Sequence, residues 1–183
     1  MSKVYIDYAN RILQSIVIEL VNDDMLSKLL YYVNENKEDI YSLESLDNPV
    51  KTLYKNDDKS KNKVFKNKKI LKIIEEIDVC MFINLLSYSQ KSTAYSTSAT
   101  VKTMDIQVGI LCHEDCLETL NGCRDVAMID RIMSILNTSK IIPSIGNATI
   151  SSVYALLDVP YDFNGYGITI SLDGIRELDF DER

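Results

Sequence analysis

Tryptophan is absent from the 183 residues, and histidine occurs once, at position 113. With one imidazole, any His-based acid–base or metal chemistry has to be built around that position. Apolar runs are short: none approaches the ~20 residues that span a bilayer. The opening MSKVYIDYANR lacks a basic stretch followed by an apolar one, so neither a membrane span nor a secretory leader is expected. Phosphate-cradling loops are missing too, with neither GxxxxGKS/T nor GxGxxG present. There is no GxSxG nucleophile elbow, and no internal repeat at a constant period. The six glycines are scattered, as turn residues are.

What is present fits one globular unit. A hydrophobic content of 46% and a charged content of 26% match an ordinary folded domain. A chain this long buries roughly 70% of its unfolded surface, enough for a real core. The net charge of −7 opposes a general nucleic-acid binder, which would carry a basic face. Four cysteines, three of them within residues 112–123, do not form the pattern of a secreted disulfide scaffold, so a reducing, intracellular compartment is expected.

Periodicity divides the chain. Ile12, Leu13, Ile16, Val17 and Leu20 recur at helical spacing over residues 3–20. Asn22 or Asp23 caps a second helix carrying Met25, Leu26, Leu29, Leu30 and Val33, so an antiparallel helical hairpin is expected. Residues 55–69, KNDDKSKNKVFKNKK, hold seven lysines and two aspartates. Such a composition predicts a mobile, solvated insert, the alternative being an arm that contacts a neighbouring subunit or nucleic acid. The period then becomes two: Val79, Met81, Ile83 and Leu85 oppose Cys80, Phe82, Asn84 and Leu86. Residues 89–100, SQKSTAYSTSAT, read as an extended hairpin arm, and Met104 to Cys112 alternate as a second strand. Residues 124–137 form a helix with Val126, Ile129, Ile132, Met133 and Leu136 as its stripe. Val153 to Val159 and Tyr166 to Leu172 make two more strands, with Asp162-Phe163-Asn164-Gly165 as the turn between them. The expected fold is α+β: a single domain with an antiparallel sheet of about four strands backed by helices, an N-terminal helical hairpin and a long hairpin arm.

The segment CHEDCLETLNGC, residues 112–123, is the strongest candidate for chemistry. Cys112, His113, Cys116 and Cys123 amount to a full set of zinc ligands. Against that reading, zinc ligands usually pair as two knuckles a dozen or more residues apart. In addition, Cys112 and His113 are strand neighbours and so point to opposite faces. A thiol enzyme would need a cysteine held against His113 by a third group, which the same geometry opposes. The favoured reading is a strand-to-helix junction with Cys112 as a small core hydrophobe, no catalytic residue, no metal and no cofactor. A small zinc-binding interaction module remains the alternative.

The order of elements resembles the neck proteins of tailed bacteriophages, the head–tail connectors and tail terminators, especially of phages infecting low-G+C Gram-positive bacteria. The segments that carry the resemblance are LLYYVNENKEDI, VCMFINLLSYS, MDIQVGILCHED, the Asn121-Gly122-Cys123-Arg124 link, VAMIDRIMSILN and the closing FNGYGITISL. The lysine-rich insert and the cysteine cluster depart from that pattern. The resemblance implies a non-catalytic virion protein, assembled in the host cytoplasm. It also implies a hexameric or dodecameric ring between portal and tail tube or sheath, with DNA passing through the lumen unbound. On that reading the subunit interface is expected at the arm, through Ser89, Lys91, Tyr95 and Thr100. Arg124, a cation at the positive end of its helix, is expected to join it by pairing with a neighbour.

Overall fold

The computed structural model describes residues 2–34, 38–66, 77–92, 100–138 and 148–175. Two helices open the chain, α1 (Ser2–Asn22) and α2 (Asp24–Tyr31). They break at Asp23, whose extended backbone leaves the helix while its carboxylate accepts the Leu26 N–H at 2.9 Å. The apolar stripes predicted for both helices are buried, from Ile12 to Leu20 on α1 and through Leu26, Leu29 and Leu30 on α2, whereas Met25 is exposed. Lys28 lies under the α2 surface, 2.9 Å from Asp24 and donating to the Tyr41 carbonyl at 3.2 Å. That ties α2 to the short 3-10 turn Ile40–Ser42.

The fold is α+β, and its sheet is larger than expected. Strands β1 (Val64–Lys66), β2 (Val79–Ser92), β3 (Thr100–His113), β6 (Ala148–Ala155) and β7 (Phe163–Ile175) form one sheet in the order β1-β2-β3-β7-β6. A minor ribbon, β4 (Glu118–Thr119) with β5 (Gly122–Cys123), precedes helix α3 (Arg124–Thr138). In the main sheet every pairing is antiparallel except β1 with β2, which is parallel, so the sheet is mixed.

The fifth strand comes from the lysine-rich segment, whose residues 55–66 are structured rather than a loose insert; Lys68 and Lys69 lie outside the described residues. The reason is local. Val64 is almost fully buried, the Lys63 N–H reaches the Leu53 carbonyl at 2.8 Å, and the Met81 N–H reaches the Lys63 carbonyl at 2.8 Å. One buried valine and two backbone bonds anchor a run that is otherwise solvated.

Two further expectations change. Strand β6 ends at Ala155, so Leu157 and Val159 belong to the connection rather than to a strand. Asn164 and Gly165 are not a turn but sheet residues, opposite Cys112 and Leu111. The chain reverses before them, around Pro160, whose carbonyl accepts the Phe163 N–H at 3.0 Å.

The helices cover one face of the sheet. Val79, Met81, Ile83, Met104, Ile106, Val108 and Ile110 pack there with Ile16, Leu20, Met128 and Ile132. On the opposite face a smaller cluster joins Ile77, Cys80, Phe82 and Leu111. No helix among the described residues is long and apolar enough to cross a membrane.

Arg124 corrects its own expectation. Instead of reaching a neighbouring subunit, its side chain is fully buried inside this one. Nε donates to the Cys116 carbonyl at 2.8 Å, Nη1 to Leu29 at 2.7 Å and Nη2 to Tyr32 at 3.1 Å. Burial lowers its pKa, as desolvation disfavours the cation. The carbonyls of Leu29 and Tyr32 belong to the last turn and C-cap of α2, where acceptors lack helical partners and a cation is favoured. Replacing Arg124 with Met should therefore lower unfolding free energy by on the order of 3 kcal/mol, read from urea denaturation. Arg124→Lys should recover little, because one ammonium cannot reach three diverging carbonyls.

Candidate interaction surface

The structure separates the residues of the 112–123 cluster. Cys112 and Cys116 are buried in the helix-side core, near Arg124, while Cys123 is exposed. His113 lies edge-on to Phe163 with ring centroids 5.0 Å apart, and its Nδ1 accepts the Asp115 N–H at 3.3 Å. It thus caps the short 3-10 turn Glu114–Cys116. Among the described residues, no group of three or more His, Cys, Asp or Glu is placed to hold a metal ion. Gly122, at φ 111°, makes the turn that leads through β5 into α3.

The arm begins within the chain's own sheet. β2 and β3 are 14 residues each and pair from Val79–Cys112 to Ser92–Thr100. At about 3.3 Å per residue such a hairpin is roughly 45 Å long. Burial thins after Asn84: Leu85, Leu86, Ser87 and Ser89 are exposed, whereas Tyr88 between them still packs against the helix-side core. Ser89 Oγ shares a hydrogen bond with Thr103 Oγ1 at 2.6 Å. Lys91 and Thr100 lie in the ladder opposite Val101 and Ser92, and Tyr95 lies outside the described residues.

Polar ladders that periodicity alone did not reveal cross the face away from the helices. Asn84 Nδ2 donates to Gln107 Oε1 at 3.1 Å, and Gln107 Nε2 donates to the Tyr154 hydroxyl at 2.6 Å. The Tyr154 ring lies over Gly167, where an added Cβ would come within 2.7 Å of it. Phe82 covers Gly109 in the same manner. Further along the arm, Asp105 accepts from Ser87 at 2.6 Å and Ser171 at 2.7 Å, and these hydroxyls hold its carboxyl below the usual range. The signal for these ladders was a polar residue interrupting each strand, but only the register shows that Asn84 and Gln107 are partners.

Three features remain as binding candidates. An open groove of about 570 Å³ between α2 and α3 is lined by Met25, Leu29, Tyr41, Cys123, Val126 and Arg131, among others. Arg131 is held by Asp23, with Nε–Oδ1 at 2.8 Å, so its charge is already engaged. The other two features are the edges of the sheet at β2 and at β6 that have no strand partner among the described residues, each accompanied by exposed apolar side chains.

Burial pushes the thiols of Cys80 and Cys112 up to about 12 and raises that of Cys116, leaving them protonated and hidden at neutral pH. Iodoacetamide at pH 7.5 should therefore alkylate one cysteine, Cys123, on the folded chain and all four in denaturant, as read by intact mass. Gly167→Ala should displace Tyr154 and cost about 2 kcal/mol, measured by thermal or urea unfolding. A native mass spectrum recorded with excess zinc should stay at the apo value.

Comparison with known proteins adds the family. No curated protein matches the chain. A solved structure described as a core domain from Akkermansia muciniphila aligns at 6% identity and a TM-score of 0.25, over 51% of this chain and 47% of that one. The chain thus spans about half of that structure's length, and so low a score supports no argument about function. The model of the YomW family matches residues 23–172, from the α2 cap to the end of the sheet-buried part of β7. The chain belongs to the YomW family, a bacteriophage-related group.

Proposed function

We propose that the protein is a structural component of the neck of a tailed-phage virion. In this reading it forms a homo-oligomeric ring that joins the head and its portal connector to the tail, in a tail-terminator or head-completion role. It does no chemistry. The observation that carries the reading is the β2–β3 hairpin, whose outer pairs from Ser89 to Ser92 continue past Tyr88, which packs against the helix-backed core, while Leu85 and Leu86 stand exposed on β2. A strand pair of that length costs ordering entropy that its own core does not repay at the far end, and a neighbouring subunit would repay it.

Charge supports the same reading. A net −7 favours a lumen through which DNA slides without sticking. The partners on this reading are further copies of the chain, the portal or connector, and the tail tube or sheath. Membership of a phage-related family agrees with a virion location. Against the zinc-module alternative, Cys112 and Cys116 are buried in the core while Cys123 is exposed.

Purified protein should show ring-sized mass by mass photometry and closed rings by negative-stain microscopy. Deleting residues 89–100 should abolish the rings while the helical circular-dichroism signal is retained. Rings of normal size from the deletion variant would remove the arm from the interface. A chain that is strictly monomeric at micromolar concentration and binds neither connector nor tail protein would count against the neck role itself.

A further inference from the structure

The two sides of the main sheet end differently, and the two ends fit each other. On one side β1 covers β2 only at Met81, Phe82 and Ile83. From Asn84 to Ser92 the outer edge of β2 has no strand partner among the described residues. On the other side β6, Ala148–Ala155, is the last strand, again with no outer partner among the described residues. The free stretch of β2 is nine residues, 84 through 92, and β6 is eight. Each contains one bulge, at Leu86 between the Leu85 and Ser87 pairings and at Ser151 between the Ile150 and Ser152 pairings.

Natural sheets usually protect a long edge with lysine, proline or an inward charge. β6, with sequence ATISSVYA, has none of these, and the Ser151 bulge is its one irregularity. The edges are also flanked by exposed apolar side chains. Val153 and Tyr154 on β6 continue into Leu157 and Tyr161, which are 94% and 101% exposed. Across the sheet, Leu85 and Leu86 sit exposed where the free stretch of β2 begins. Met25, Tyr31, Leu120 and Val126 are exposed elsewhere on the surface, but the apolar groups at these two edges stand beside unpaired strand backbone, which makes them contact surfaces.

Direction settles how the edges can meet. β2 is antiparallel to β3, β3 to β7 and β7 to β6, so β6 runs opposite to β2. A second copy placed in the same orientation beyond β6 would present its β2 antiparallel, the better-bonded arrangement. Because β1 occupies the lower part of that copy's β2, the copies must be displaced along the strands until β6 faces Asn84–Ser92. The displacement brings Val153 and Leu157 toward the partner copy's leucine pair.

We infer that the β6 edge, with Leu157 and Tyr161, is the docking site for the free β2 edge of a second copy of this chain. The contact is head-to-tail, one edge meeting the opposite edge, and so propagates until it closes. The inference rests on the ring reading above and specifies its interface.

The test is directional cross-linking in a Cys123→Ser background with a short bismaleimide. Leu86→Cys combined with Leu157→Cys should give a ladder of dimer, trimer and higher species, while each variant alone should give none. Because those side chains are exposed, Leu157→Glu with Tyr161→Glu should weaken assembly at least tenfold with unchanged circular dichroism, and Leu86→Glu should do the same. A covalent dimer from either single cysteine variant would mean like edges meet, and would overturn the inference. Rings that survive the glutamates and give no ladder would overturn it too, yet leave the ring reading standing. A wild-type chain that never assembles would overturn both.

Discussion

The guanidinium of Arg124 joins the end of α2 to the start of α3 and the turn after β3. It closes the end of α2 through Leu29 and Tyr32 and reaches the turn after β3 through Cys116, across a sequence separation of 95 residues for the Leu29 bond. A cation in that position is expensive to desolvate, and it is held by neutral carbonyls at a helix end rather than displayed at a surface. The apolar stripes of the helices choose the sheet face they cover, and this joint pins the end of α2 in that place. Its neighbour contact at Asp23–Arg131 repeats the idea at the other end of α2.

The face the helices leave open has its own logic. Near the strand ends that meet His113 it is apolar, built from Cys80, Phe82 and Leu111. Toward the arm it becomes a set of amide and hydroxyl ladders, with glycines at 109 and 167 making room for the rings of Phe82 and Tyr154 to lie flat. Paired polar groups keep the face from becoming a second sticky layer. Leu85 and Leu86 stand exposed at one edge of the sheet, and Val153, with Leu157 and Tyr161 just beyond it, at the other.

Much of the architecture could be read from periodicity, because helices α1, α2 and α3 and strands β2, β3 and β7 each carry a long, clean stripe. The misses have physical causes. β1 holds one strongly buried apolar residue, Val64, too little to outweigh seven nearby lysines in any composition argument. Asn164-Gly165 is a strong turn signal, yet Gly165 lies where a Cβ would be 2.7 Å from Leu111 and Val159, so its smallness serves packing. Arg124 read as an unusual surface cation, because nothing local shows that the carbonyls at the end of α2 fold back onto it. The candidate site was legible only as a region: the arm was visible as Ser/Thr-rich chain, whereas the edges exist only through pairing order.

The pairing order also has a consequence for biosynthesis. Among the described residues, β6 is bonded only to β7, the last strand among them in chain order. Until residues 163–175 leave the ribosome, β6 has no place in the sheet, although β2 and β3 can already pair. The β2 edge can thus form before residues 163–175 are made, and the β6 edge only after them. If the edges dock as proposed, two chains that have not yet made residues 163–175 cannot meet edge to edge, because each lacks a seated β6. Chain order alone works as an assembly clock.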